Sequence, residues 1–158
     1  MIFSPTDGID VAFRLGDLHT DNVIAKKIIE VGSALVATPE FIAQFDKPET
    51  LPDLAHFRYA TWGNSCSVGS LNIFTAPIPP LTMSFTSNDL QVVLHYVLQG
   101  LAIGILPPYA VQEALQAGEL VEIFTNQPKK RHNVHLIYPS HKHPSAVLKA
   151  FVEFCLKH

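Results

Sequence analysis

The segment from Phe85 to Tyr109, FTSNDLQVVLHYVLQGLAIGILPPY, constrains this chain more than any other. Leu90, Val93, Leu94, Val97, Leu98 and Leu101 recur at helical spacing, which gives a helix one apolar face. Ser87, Asn88 and Asp89 stand before it, each with a side-chain oxygen suited to the free N–H groups of a first turn. Gly100 fits the left-handed position that ends a helix. Ala102 to Leu106 is short, apolar and closed by Pro107, as a buried strand is. The piece reads helix, tight turn, buried strand. A helix N-terminus offers spare donors and a positive dipole end, so the Ser-Asn-Asp stretch is either a plain cap or an anion site.

The rest of the chain follows the same rhythm. Ile9 to Phe13 reads as a buried strand running into Arg14 and Gly16, with a polar loop from Gly16 to Asn22. Val23 to Val31 is extended or mixed, with Lys26 and Lys27 exposed. Ala34 to Ala37 is a short apolar strand. Thr38 caps a helix whose first position is Pro39, where proline fits. Pro52 to Ala55 forms one helical turn. Phe57 to Ala60 and Leu81 to Phe85 read as strands, with a hairpin around Ser67 to Thr75 between them. Tyr109 to Ala117 is a helix ended by Gly118. Leu120 to Phe124 and Val134 to Tyr138 are strands on either side of a polar loop. Pro144 to Leu156 is a last helix with Val147, Ala150, Phe151 and Phe154 on one face. Strands alternating with helices predict an α/β fold with largely parallel pairing.

Several function classes are set aside by what the sequence lacks. With 158 residues, 47% of them hydrophobic, the chain builds a real core as one compact domain or two small lobes. The formal net charge is −3, and the one basic run, Lys129-Lys130-Arg131-His132, reads as a solvated loop, which argues against a grip on a phosphate backbone. Cys66 and Cys155 are far apart and lack metal spacing, as in a reduced cytoplasmic protein. MIFSPTDGID has no basic n-region or long apolar run, and no stretch is long enough to span a membrane. GNSCS, Gly63 to Ser67, resembles a G-x-S-x-G nucleophile elbow but lacks the last glycine and a following helix. His132-x-x-His135 and His141-x-His143 have no cysteine or carboxylate company for a metal. No dinucleotide or P-loop fingerprint is present. The expectation is no enzyme, no cofactor and no metal.

A binding protein remains. Open α/β sheets bind ligands at the carboxyl ends of their strands. Arg14, Thr38, Thr86, Ser87 and Asn88 stand at strand ends and helix starts. Equally, Arg14 is suited to an ion pair with Asp17, and Thr38 to a plain cap.

Five fragments resemble, in order, the effector-binding domain of LysR-type transcriptional regulators: GIDVAFRLGDL (Gly8 to Leu18), ALVATPEFIAQF (Ala34 to Phe45), NDLQVVLHYVLQGLAIGILP (Asn88 to Pro107), ALQAGELVEIF (Ala114 to Phe124) and HLIYPSHKHPSAVLKAFVEF (His135 to Phe154). The resemblance implies an α/β, two-lobed type 2 periplasmic-binding-protein-like fold, its lobes joined by two crossing strands with a cleft between. Leu35 to Thr38 and Leu136 to Tyr138 would be the crossings. Residues 1–36 and 138–158 would form a partial regulatory lobe I and 37–137 lobe II. The helix at Asn88 would point into the cleft, where the family holds small, often anionic effectors, and Arg14, Gly16, Thr38, Thr86, Ser87 and Asn88 would line the site.

The chain departs from the family pattern in lacking the winged helix-turn-helix and, apart from Ile2 and Phe3, the strand, helix and strand that precede DVAFR. It therefore reads as a truncated product or a piece of a longer regulator. His143 stands where a serine cap is usual. The expected function is ligand sensing for a LysR-type regulator in the cytoplasm, without membrane contact. The expected partners are a small-molecule effector and a homodimer or higher oligomer, with DNA reached only through a helix-turn-helix that this chain lacks. A transporter's solute-binding protein shares the two-lobe fold and is the alternative.

Overall fold

The computed structural model describes residues 8–15, 22–63, 73–140 and 144–157. In chain order the elements are β1 (Ala12–Leu15), β2 (Val23–Val31), β3 (Ala34–Ala37), α1 (Pro39–Phe45), a 3-10 turn (Leu51–His56), β4 (Arg58–Trp62), β5 (Thr82–Ser87), α2 (Leu90–Leu98), β6 (Ile103–Leu106), α3 (Pro108–Gln116), β7 (Val121–Ile123), β8 (His132–Pro139) and α4 (Ala146–Lys157). They divide into two compact units, Met1–Val31 with His132–His158, and Gly32–Arg131. The expected boundaries, 36/37 and 137/138, fall a few residues away. Ala34–Ala37 pair inside the second unit's sheet, and β8 pairs with β2 from His132 onward.

The second unit is a five-stranded sheet in the order β5-β4-β6-β3-β7. β4 runs parallel to β5 and β6, whereas β3 is antiparallel to both β6 and β7. The other sheet, β1-β8-β2, is antiparallel throughout. The expectation of largely parallel pairing is therefore corrected. Apolar runs report burial on both faces, and a covered antiparallel strand is as buried as a parallel one.

Residues alternate across the large sheet. Leu35, Tyr59, Ile103, Ile105 and Ile123 face one core with Phe41, Leu54 and Phe74. Val36, Ala60 and Leu106 face the other, beneath Val93 and Val97 of α2 and Val111 and Ala114 of α3. Local chemistry sets the ends. Thr38 Oγ1 accepts from the Phe41 N–H at 3.2 Å and Pro39 opens α1, as the sequence predicts. Asp53 accepts from the backbone N–H of Thr50 at 2.8 Å, and this bond holds its carboxyl below the usual aspartate range. Gly100 closes α2 with φ +72, and Gly118 follows α3 with φ +75. Gly104 of β6 lies under α2, where a Cβ would meet Val97 Cγ2 at 2.9 Å and Val36 Cγ2 at 3.2 Å.

In the first unit, Leu136 and Tyr138 of β8 pack against Val152, Leu148 and Cys155 of α4. Two expectations are corrected here. The first strand is Ala12–Leu15 rather than Ile9 to Phe13, and it is not buried: Ile9 is 42% and Phe13 59% exposed. Among the described residues β1 has a strand partner on one side alone, which leaves an edge. On α4 the buried stripe is Leu148, Val152 and Cys155, while Val147 is 80%, Phe151 40% and Phe154 61% exposed. The helix carries two apolar stripes, and β8 covers the one that spacing alone did not favour. The loop at 16–21, most of the hairpin around Ser67 to Thr75, the GNSCS elbow beyond Gly63 and His141 to His143 lie outside the described residues.

Candidate functional site

Three of the expected site residues, Thr86, Ser87 and Asn88, follow one another in sequence, and the sheet of the second unit sets them beside the end of β4. Parallel register sets Thr61 beside Thr86 and Trp62 beside Ser87, so β4 and β5 end side by side. Ser84 is the extra residue of a bulge between the two strands, and its hydroxyl donates to the Tyr59 carbonyl at 3.1 Å. The bulge sends Phe85 to the α2 side, where it stacks on Tyr96 with ring centroids 4.4 Å apart. The chain then runs Thr86, Ser87, Asn88 into α2. Gly63 N–H donates to the Ser87 carbonyl at 2.9 Å, and the Trp62 indole N–H donates to the Asn88 carbonyl at 3.0 Å. Trp62 remains 46% exposed, Asn88 is exposed, and Thr86 and Ser87 are half-buried.

Several donors at the start of α2 are already taken. Asp89 Oδ1 accepts from the N–H groups of Gln91 at 2.9 Å and Val92 at 3.4 Å, and Ser87 Oγ accepts from the Asp89 N–H at 3.1 Å. A carboxylate of the chain itself therefore complements the helix dipole. What is left for a ligand is hydroxyl and amide chemistry from Thr86, Ser87 and Asn88, beside an exposed aromatic face. Sequence reasoning missed Trp62. Its signal was present: the single tryptophan of the chain, at the end of a strand and just before Gly63.

Thr38, of the same sheet, is not among the residues at that end. Antiparallel register sets Ala34 beside Leu106 and Val36 beside Gly104, so β3 ends at the edge of the sheet where β6 begins. Thr38 is thus at the opposite end of the sheet from Ser87, buried, and its Oγ1 lies 3.2 Å from where a Cβ on Gly100 would be. Arg14 belongs to the first unit, half-buried on β1 opposite His135. Gly16 and Asp17 lie outside the described residues.

The LysR substrate binding domain matches residues 6–158, nearly the whole chain. The chain belongs to this family. LysR regulatory domains have the two-lobed periplasmic-binding-protein-like fold, and solved structures show that the LysR domain described here shares it. It superposes on the full-length AphB virulence activator of Vibrio cholerae with a TM-score of 0.81 at 22% identity, over 100% of this chain and 55% of that one. It also matches the CrgA regulatory domain of Neisseria meningitidis with a TM-score of 0.75 at 22% identity, over 96% and 76% of the two chains. In sequence it is 29% identical over 160 residues to the HTH-type transcriptional regulator DmlR of Escherichia coli, covering 94% of this chain and 49% of that protein. This LysR domain spans about half the length of the relatives it matches. The match sets it with transcriptional regulators, and the transporter reading has no support. Among the described residues no helix is long and apolar enough to cross a membrane.

Proposed function

We propose that this LysR domain senses a small effector at the joined ends of β4 and β5, with Thr86, Ser87 and Asn88 as its polar contacts and Trp62 as an aromatic wall. The family match over residues 6–158 carries the reading. The relatives are HTH-type regulators, and this chain aligns with about half of each. The whole protein's DNA contact is therefore assigned to a helix-turn-helix outside the matched half. A sensing domain of this kind works in the cytoplasm, without catalysis and without a cofactor. Binding favours one arrangement of the domain over another, and that preference is what an attached DNA-binding part reads.

Trp62 makes the proposal measurable, because a single tryptophan reports from the site itself. A panel of small hydroxy acids, amino acids and sugars is titrated against its emission. At least one shifts the emission saturably. Thr86→Ala or Ser87→Ala weakens that ligand by about tenfold, the worth of one hydrogen bond to a polar ligand. A panel without any saturable shift, or variants that bind as tightly as the parent, refutes the site.

We further propose that the chain self-associates through its first unit. Val147 and Phe151 of α4 and Phe13 of β1 are exposed, and among the described residues β1 has a strand partner on one side alone; an open strand edge and an apolar helix face attract a second chain. Stable interfaces bury roughly 800 Å² per partner. Light scattering at micromolar concentration is expected to give a particle heavier than 17.4 kDa, reduced by the pair Val147→Asp and Phe151→Asp. A monodisperse particle of 17.4 kDa in the parent protein refutes it.

A further inference from the structure

From Tyr59 to Pro128 the chain holds no lysine and no arginine, while Asp89, Glu113, Glu119 and Glu122 fall within the same stretch. That stretch supplies β4 from its second residue, β5, α2, β6, α3 and β7, so most of the second unit is built without a strong cation. Residues 64–72, which follow β4, carry no charged side chain at all. The lysines and arginines of this unit stand away from the joined ends of β4 and β5. Arg58 opens β4, about 13 Å from Trp62 at a strand's rise per residue. Lys47 lies in a connection that leaves the sheet after β3 and returns at the start of β4, both at that far end. Lys129, Lys130 and Arg131 follow β7, which is three strands from β4 and therefore about 14 Å across the sheet. Lys129 is also paired with Glu122. Exposed charges at such distances are largely screened, because the Debye length is about 8–10 Å in ordinary salt. Asp89 is thus the nearest formal charge of the second unit, and Glu113, midway along α3, adds to the same sign. Ala60 packs under α2, and alternation puts Trp62 on the same side of the sheet. The indole N–H bond to the Asn88 carbonyl anchors the ring one residue from Asp89, and 46% of Trp62 stays exposed. Both cap bonds, to Gln91 and Val92, use Asp89 Oδ1 rather than Oδ2. An indole face and a carboxylate attract the same partner. A cation gains from the ring quadrupole, strongest for tryptophan, and from the charge. A carboxylate ligand is repelled, and it meets a helix end whose dipole Asp89 already complements.

We propose that the effector is a small organic cation, an ammonium compound bearing a hydroxyl, and that Asp89 selects for its charge; this rests on the effector site at the β4 and β5 ends. The ammonium lies over the exposed face of Trp62, toward Asp89 Oδ2. The hydroxyl exchanges hydrogen bonds with Thr86, Ser87 or Asn88. The expectation of an anion at the Ser-Asn-Asp stretch is thereby reversed, because the carboxylate that caps α2 also sets the sign of the ligand.

The test titrates the whole chain with probes of nearly one shape: choline, its uncharged carbon isostere 3,3-dimethylbutan-1-ol, and 3,3-dimethylbutanoate. Trp62 emission is read at equal ionic strength. Choline is expected to shift it saturably and to bind about tenfold more tightly than the alcohol, with the carboxylate weaker still. Asp89→Asn keeps a good capping side chain and removes the charge. It is expected to weaken choline about fivefold and to leave the alcohol unchanged. If Asp89→Asn does not fold, the ranking of the probes in the parent protein decides alone. An alcohol or carboxylate that binds as tightly as choline, or an unchanged choline affinity in folded Asp89→Asn, overturns this inference and leaves the effector site standing. No saturable shift from any of the probes also overturns it, and the wider panel of hydroxy acids, amino acids and sugars then decides the effector site by itself.

Discussion

Replacing Gly104 by valine is expected to destabilise the protein by about 2–3 kcal/mol, the cost of forcing extra carbon into a filled core. Gly104 is at the centre of the large sheet, with β4 on one side and β3 on the other. α2 lies so close above it that a bare Cβ would stand 2.9 Å from Val97 Cγ2, 3.2 Å from Val36 Cγ2 and 3.2 Å from Leu106 Cδ1. These are β-branched or tightly packed neighbours, and Val36 and Val97 have little rotamer freedom with which to yield. The strand preference of valine returns at most about 1 kcal/mol, so the overpacking dominates. Urea unfolding measures the loss, and Gly104→Ala gives a smaller one of the same sign. Any relief must come from α2 lifting off the sheet. That movement carries Asn88 away from Trp62, so the tryptophan emission should shift in the folded variant. Undiminished stability in Gly104→Val would mean that α2 does not rest on β6 in this way.

Leu35→Ala is expected to cost about 3 kcal/mol, while Val147→Ala stays within about 0.5 kcal/mol of the parent protein. Both changes remove apolar carbon from a residue that the sequence marks as core. Leu35 is fully buried, between Ile105 of β6 and Ile123 of β7 in register, and its truncation leaves a cavity that the sheet cannot close. Val147 is 80% exposed near the start of α4, where alanine is also the better helix former. Urea midpoints of the two variants, compared at equal protein concentration, separate the cases. Association through the outer stripe of α4 adds to the Val147 loss only as protein concentration rises, whereas the Leu35 loss is the same at every concentration; a Val147 loss as large as that at Leu35 in dilute protein would overturn the contrast.

This contrast locates the boundary between what was legible in the sequence and what was not. Local signals were sufficient wherever the deciding contacts lie within a few residues. Thr38 and Pro39 start α1, Gly100 ends α2, and Ala34–Ala37 and Ile103–Leu106 are buried strands, because caps, left-handed turns and doubly covered strands each write their requirement into neighbouring positions. The polar stretch before α2 was legible for the same reason, and so was the family, whose fragments span the chain in order.

Contacts between distant segments were not legible. Strand direction escaped because burial on both faces looks alike for parallel and antiparallel neighbours, and register alone sends Thr38 to the far end of the sheet from Ser87. The exposed stripe of α4 and the exposed Phe13 escaped because an apolar residue records that it has a use for cover, not which surface supplies it. Asp89 read as one of three equivalent caps, yet only coordinates show its carboxylate taking the α2 donors. Likewise Trp62 and Asn88 stand far apart along the chain, and only the parallel pairing of β4 with β5 brings the indole to the start of α2. The sequence by itself determined the elements, their ends and the LysR family. The tertiary structure decided strand direction, which apolar faces are covered and which polar groups meet, because those depend on pairings between residues that the chain holds far apart.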